Sequence, residues 1–147
     1  YLNLFKQYDY FRKHGEMQFT PPVQVLYALR QAIIEFIREG GDERHNRYYN
    51  SWKVLIAGLE DIGLDLLLDR NIQSHILTTI VEPKDPNYSF QKLHDLLNER
   101  GFTIYPGKAG KDKTFRIANM GAIDSTDMKN FVMCLKEVLE LMHVRLK

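Results

Sequence analysis

Residues 114–121 have the sequence TFRIANMG, and the first five of them alternate as a β-strand does. Phe115 and Ile117 must point to one face of such a strand, so Arg116 projects from the other face. If helices cover the face with Phe115, the guanidinium stands on the open face, where it can bind a carboxylate or a phosphonate through two parallel hydrogen bonds. The alternative is a charge that discourages edge-to-edge pairing of strands. The spacing of the residues leaves both interpretations open.

The segments around this strand predict a small sheet. Residues 76–81 (ILTTIV) are short and β-branched, which predicts a strand, and residues 102–105 predict another. The loop between 102–105 and 114–118 is too short for a parallel crossover, so we expect this pair to be antiparallel. Apolar residues at helical spacing predict helices over 89–100 and 124–143, packed on one face of the sheet.

Capping residues indicate where three helices begin. Ser89 and Asp124 each precede an apolar-periodic run and are predicted N-caps. Thr20 is the predicted N-cap of an earlier helix, with Pro21 at the first helical position, where a missing N–H costs nothing.

Further helices are predicted over residues 1–13 and 42–62, each followed by a glycine. Helices followed by a β-α-β-β-α pattern predict an α+β domain with a small, mostly antiparallel sheet that helices cover on one face.

Composition excludes several classes of protein. The chain has 147 residues, with 44% hydrophobic and 27% charged residues, which is typical of one globular domain, two at most. The net charge is +1, from 20 Lys and Arg residues and 19 Asp and Glu residues, which argues against binding to nucleic acid. No apolar run approaches the ~18 residues of a membrane span, so no membrane partner is expected. The chain starts at Tyr1 within an amphipathic pattern, so we expect it to be part of a longer protein.

Metal and thiol chemistry have little support. The five histidines lack the spacing of metal ligands, so no metal site is expected. Cys134 is the single cysteine and is predicted to be a buried structural thiol. A lone cysteine cannot form an intramolecular disulfide, which points to a reducing compartment and a cytoplasmic location.

Two groups of cationic residues have plain structural interpretations. Residues 105–111 look like a phosphate-binding loop, but they lack the spacing of such a motif and no helix follows them. The alternative is a cationic hairpin loop, with the Lys- and Gly-rich stretch at 108–113. Arg38, Arg44 and Arg47 lie near the start of the helix over 42–62, where they oppose the helix dipole, so we expect acidic partners for them.

A family resemblance extends over essentially the whole chain. It rests on six motifs: FTPPV at 19–23, YALRQA at 27–32, EGG at 39–41, RHNRY at 44–48, YPGK at 105–108 and TFRIANMG at 114–121. Together they resemble the class V aminotransferases, and within that class the family of transaminases that use 2-aminoethylphosphonate and pyruvate.

The resemblance implies a pyridoxal 5'-phosphate (PLP) enzyme of fold type I that works as a homodimer. Residues 1–40 would be the end of the large domain with its connecting helices, and residues 41–147 the small C-terminal domain. The large domain with the cofactor lysine would lie upstream. This chain would therefore contain no catalytic residue, and on its own it would be inactive and hold no PLP.

The resemblance also assigns two site residues. Arg116 would bind the anionic end of the substrate, and Thr20 would reach the cofactor phosphate of the neighbouring subunit. Some relatives have a tyrosine three residues before this threonine, where the chain has Met17. Two alternatives remain: a relative acting on alanine or serine and glyoxylate, and a binding or dimerisation module without chemistry.

Overall fold

The computed structural model describes residues 2–107 and 113–146, which form two compact units, 1–41 and 42–147. The first unit holds helices α1 (Leu4–His14) and α2 (Val23–Glu39). The Asn3 side chain accepts a hydrogen bond from the Lys6 N–H and caps the start of α1, and Gly15 ends it with a φ of 71°. That left-handed conformation suits glycine, so the predicted stop of this helix is confirmed.

The predicted start of α2 is wrong. The N-cap is Pro22, not Thr20, and no side chain caps the helix. A residue that precedes a proline is held out of the α region, and both Thr20 and Pro21 precede one. The helix therefore begins only after the second proline, and the Val23 N–H donates to the Pro21 carbonyl at 2.9 Å.

The apolar side chains of this first unit are exposed. Neither α1 nor α2 contains a buried residue. Phe5, Tyr27 and Ile37 are 73%, 68% and 71% exposed, respectively. Both helices thus expose their apolar side chains to solvent.

The second unit is a three-stranded antiparallel sheet covered by helices. Its elements are α3 (Gly41–Ile62), β1 (Leu77–Val81), α4 (Phe90–Asn98), β2 (Tyr105–Pro106), β3 (Thr114–Ala118) and α5 (Ser125–Leu141). The strand order is β1-β3-β2, and β3 is antiparallel to both neighbours. The predicted α+β fold and the antiparallel pairing are confirmed. Ser89 and Asp124 cap α4 and α5 as predicted.

The predicted strand over 102–105 is wrong except at Tyr105. The Phe102 N–H donates to the Leu97 carbonyl at 2.9 Å, and Gly101 has a φ of 84°. These features close the last turn of α4, so residue 102 completes the helix end instead of entering the sheet. The side chain of Ile104 is buried in the core, and only Tyr105 and the next residue pair with β3.

One hydrophobic core joins the helices to one face of the sheet. Phe115 and Ile80 from the strands are fully buried in the same cluster as residues of the three helices, which include Leu55, Leu59, Leu93, Leu97, Leu135 and Val138. The predicted helices on one face of the sheet are thereby confirmed. No helix among the described residues is long and apolar enough to cross a membrane.

Helices α3 and α5 approach closely at a glycine. A Cβ atom added at Gly58 would lie 2.4 Å and 2.7 Å from the two Cγ atoms of Val132. Because both methyl groups crowd this point, rotation of the valine offers no escape. The contact therefore requires glycine in the middle of α3, where it is otherwise unfavourable.

We expect Gly58→Ala to destabilise the chain. Overpacking a core costs about 1–3 kcal/mol, which outweighs the ~1 kcal/mol that alanine gains over glycine in a helix. Urea unfolding should give a lower free energy of unfolding for the variant. Val132→Ala removes the two methyl groups, so Gly58→Ala should cost much less when it is added to that variant. If Gly58→Ala lowers the free energy of unfolding equally with and without Val132→Ala, the close contact between Gly58 and Val132 is contradicted.

Candidate functional site

Arg116 lies in the middle of the sheet. Its strand, β3, pairs on one side with β1, where Thr79 is its register partner, and on the other with β2, where Tyr105 is. Phe115 and Ile117 are 0% and 4% exposed, whereas the Arg116 side chain is exposed. The predicted alternation is confirmed. The edge-charge interpretation of Arg116 is wrong, because the central strand of a sheet has no free edge to protect.

The guanidinium of Arg116 is largely available for a ligand. Its Nη2 donates to the Pro106 carbonyl at 3.4 Å, which is a long hydrogen bond. Among residues 2–107 and 113–146, no carboxylate forms a salt bridge with it. A strand holds its Cα rigidly, so the planar fork is presented on the open face with donors to spare for an anion.

The outer edge of β1 is occupied as well. The Leu67 N–H donates to the Thr79 carbonyl at 3.0 Å, and the Val81 N–H donates to the Asp65 carbonyl at 2.9 Å. The stretch before β1 thus folds back along it, and Leu66 forms an isolated bridge with Ile80. Backbone pairing on both sides of β1 adds to the rigidity of the sheet beneath Arg116.

Asn119 joins the end of β3 to two other elements. Its side chain is fully buried, and its Nδ2 donates to the carbonyls of Tyr48 in α3 and His75 before β1, both at 3.0 Å. Its backbone N–H donates to the Ile76 carbonyl at 3.1 Å. This role of Asn119 is not among the predictions from the sequence, although an asparagine directly after a predicted strand is a signal for such a contact.

Arg47 holds the turn between β3 and α5. It donates to the carbonyls of Gly121 at 2.6 Å and Ile123 at 3.0 Å. The predicted acidic partner of Arg47 is present as Asp124, the N-cap of α5. Hydrogen bonds from the Asp127 and Thr126 backbone lower the pKa of this carboxyl, and the Arg47 charge lowers it further. Arginine at this point of α3 is thus explained by its long-range backbone partners.

Gly107 brings the turn after β2 against β3. A Cβ atom at this position would lie 2.0 Å from the Thr114 Oγ1, and the Gly107 N–H donates to the Thr114 carbonyl at 2.6 Å. The glycine in the YPGK motif is therefore required by a close backbone approach. Of the predicted loop over 108–113, residues 108–112 lie outside the described residues.

Thr20 lies in the first unit and is exposed two residues before the N-cap of α2. The absence of a side-chain cap leaves backbone N–H groups of the first turn available, and the N-terminus of a helix favours anions. Met17 and Thr20 line an open apolar cavity of this unit together with Tyr8 and Phe11.

Cys134 does not have the features of a reactive thiol. The side chain is partly buried against the core, and burial raises its pKa. A raised pKa keeps the thiol protonated and weakly nucleophilic. Among residues 2–107 and 113–146, no group of three or more His, Cys, Asp or Glu side chains could hold a metal ion.

The fold is that of the C-terminal domain of fold-type-I aminotransferases. Ureidoglycine–glyoxylate aminotransferase from Bacillus subtilis superposes on 97% of the chain with a TM-score of 0.78 and 23% identity, over 38% of its own length. Alanine–glyoxylate aminotransferase from Nostoc sp. superposes on 94% of the chain with a TM-score of 0.77 and 27% identity, over 36% of its length. No family model matches the chain.

In sequence, the chain is similar to 2-aminoethylphosphonate–pyruvate transaminases. It is 37% identical over 144 residues to the protein of Pseudomonas fluorescens and 40% identical over 136 residues to that of Bacillus cereus. These matches cover 97% and 91% of the chain. The chain spans only 39% and 37% of the two relatives, which fits a C-terminal portion of such a protein.

We expect Asn119→Ala to lower the stability of the second unit strongly. The change removes two hydrogen bonds that a fully buried side chain makes to the carbonyls of Tyr48 and His75, and each such bond contributes about 0.5–1.5 kcal/mol. Chemical denaturation should show the loss as an earlier unfolding midpoint. Asn98→Ala is the matched control, because Asn98 is exposed at the end of α4. Similar midpoints for the two variants would contradict the role of the buried amide.

Proposed function

We propose that the chain is the C-terminal portion of a PLP-dependent aminotransferase that converts 2-aminoethylphosphonate and pyruvate to phosphonoacetaldehyde and alanine. The observation that carries the proposal is the 37–40% identity to these transaminases over more than nine-tenths of the chain. The available guanidinium of Arg116, within the TFRIANMG motif, supplies the anion-binding group that such substrates need.

We assign residues 1–40 to the end of the large domain and residues 41–147 to the small domain. The division into compact units after residue 41 supports this boundary. The exposed apolar faces of α1 and α2 support contact with further protein, which in this proposal is the upstream domain and the second subunit of a homodimer. We place the enzyme in the cytoplasm, in line with its lone cysteine in this region.

Arg116 binds the anionic end of each substrate in turn. Two of its N–H groups donate to two oxygens of the phosphonate of 2-aminoethylphosphonate or of the carboxylate of pyruvate. Both substrates carry such a group at one end and react at the other. A single rigid guanidinium therefore anchors and orients both of them without changing its own position.

The residues present fit the phosphate of PLP. The hydroxyl of Thr20 can donate to it, and the uncapped N-terminus of α2 provides backbone N–H groups and the positive end of a helix dipole. When bound, PLP supplies the electron-withdrawing ring that makes bonds at the amine-bearing carbon labile. We assign the bonding of PLP to a lysine of the upstream domain.

A second candidate is transamination with glyoxylate. It is favoured by the structural similarity to the alanine–glyoxylate aminotransferase of Nostoc sp., at 27% identity. Both candidates use Arg116 as the anion-binding residue. A screen of amino donors and acceptors with the full-length protein separates them, because only the first requires 2-aminoethylphosphonate as donor.

In the full-length protein, we expect Arg116→Ala to lower kcat/KM by at least ~100-fold for both substrates, because two charged hydrogen bonds are lost. Arg116→Lys should retain only part of the original kcat/KM, since an ammonium keeps the charge but lacks the planar fork of a guanidinium. Steady-state kinetics with each substrate measures this effect. Cofactor absorbance and the unfolding midpoint should stay unchanged, because the side chain is exposed.

Lys136→Ala is the matched control for Arg116→Ala, because it removes one exposed positive charge from α5. It should leave both kcat/KM values near those of the unmodified protein. If Arg116→Ala also changes them by less than about threefold, the arginine does not bind substrate. An unfolded Arg116→Ala variant would likewise contradict the assignment.

The 147-residue chain alone should neither bind PLP at one-to-one stoichiometry nor catalyse transamination. The reason is that the lysine and most of the cofactor site belong to the proposed upstream domain. Absorption spectroscopy during titration with PLP measures binding, with the full-length protein as the positive control. Reduction with borohydride that attached PLP to one specific lysine of the chain, together with turnover, would overturn this expectation.

A further inference from the structure

A guanidinium does not by itself distinguish the two anions that Arg116 is proposed to bind. Its fork matches two oxygens, and a carboxylate and a phosphonate each present two. The phosphonate has a third oxygen, which lies outside the plane of that fork because phosphorus is tetrahedral. A hydrogen-bond donor beside Arg116, on the same face of the sheet, can therefore bind this third oxygen and distinguish a phosphonate from a carboxylate.

Tyr105 is placed for that contact. It lies directly opposite Arg116 in the register of β2 and β3, so the two side chains project from the same face, with Cβ atoms about 4.5–5.5 Å apart. The Tyr105 side chain is 62% exposed. Arginine and tyrosine have similar lengths, so a phenol hydroxyl on the neighbouring register position is within reach of an anion that the guanidinium holds. The guanidinium also leans towards β2, since it donates to the Pro106 carbonyl.

Thr79 occupies the opposite side of Arg116 and makes a useful contrast. It is the register partner of Arg116 in β1 and projects from the same face. Its side chain is half-buried, and because threonine is much shorter than tyrosine, its hydroxyl stays close to the sheet. Of the two hydroxyl groups beside Arg116, that of Tyr105 can reach an anion held by the guanidinium, and that of Thr79 cannot.

We propose that Tyr105 is a specificity-determining residue that donates its phenol hydroxyl to the third oxygen of a phosphonate whose other two oxygens are held by Arg116. This inference rests on the proposed function. A carboxylate held by the same fork has both oxygens in the plane of the guanidinium, so a phenol placed for an oxygen outside that plane donates to it less well. Tyr105 thus favours the phosphonate substrate without weakening the site for pyruvate.

The test uses Tyr105→Phe in the full-length protein, because this change removes the hydroxyl and keeps the ring. Steady-state kinetics should show kcat/KM for 2-aminoethylphosphonate lowered about tenfold or more, as for a lost hydrogen bond to a charged group, and that for pyruvate within about twofold. Thr79→Val is the matched control and should leave both values within about twofold.

A binding measurement without turnover gives an independent readout. Methylphosphonate and acetate should both act as competitive inhibitors at the Arg116 site. Tyr105→Phe should raise the inhibition constant of methylphosphonate about tenfold and leave that of acetate nearly unchanged. Parallel changes for both anions, or no change for either, would overturn the role of Tyr105.

Arg116→Ala in the same assays separates this inference from the proposed function. Suppose that Arg116→Ala weakens the binding of both anions, whereas Tyr105→Phe affects both equally or neither. In that case only the proposed role of Tyr105 is wrong. If Arg116→Ala changes neither, the anion site itself is misassigned, and the proposal for Tyr105 falls with it.

Discussion

The second unit depends on the hydrogen bonds of one buried amide. Asn119 donates from its side chain to carbonyls of α3 and of the segment before β1, while its own backbone continues β3. Three chain segments that are distant in sequence therefore meet at one residue. The arrangement is strict because the Asn119 amide is itself fully buried, and a buried polar group costs free energy unless it is hydrogen-bonded. Arg116 lies three residues before this junction, on the strand that Asn119 anchors.

The sheet presents its arginine from a central strand. Pairing on both sides of β3 leaves its backbone no freedom to adjust, and Phe115 and Ile117 are locked in the core beneath it. A side chain on such a strand is positioned by the packing of the whole core. Gly107 and Arg47 extend this order to the turns on either side of β3.

The two units contrast in how they are stabilised. Residues 42–147 bury a continuous core, with side chains such as Leu55 and Phe115 completely removed from water. Residues 1–41 bury none of the residues in their two helices and rely on capping and backbone hydrogen bonds. Apolar burial is the main force that offsets the conformational entropy lost on folding. The first unit therefore gains much less stabilisation from apolar burial than the second.

The sequence by itself determined what depends on neighbouring residues along the chain. Alternation placed Arg116 opposite Phe115, and the helix caps Ser89 and Asp124 were visible, because periodicity and capping are local. The motifs that resemble the transaminases likewise pointed to Arg116 and Thr20. The start of α2 is also decided locally, because each of the two prolines keeps the residue before it out of the α region.

Only the tertiary structure decided what depends on residues far apart in sequence. It placed β3 between β1 and β2, so Arg116 lies on the central strand of the sheet and not on an edge strand. It also revealed the carbonyl partners of Asn119 and Arg47, more than 40 residues away. Pairing order and buried hydrogen bonds are set by the packing of the whole core, and no local pattern encodes which distant carbonyl will need a donor.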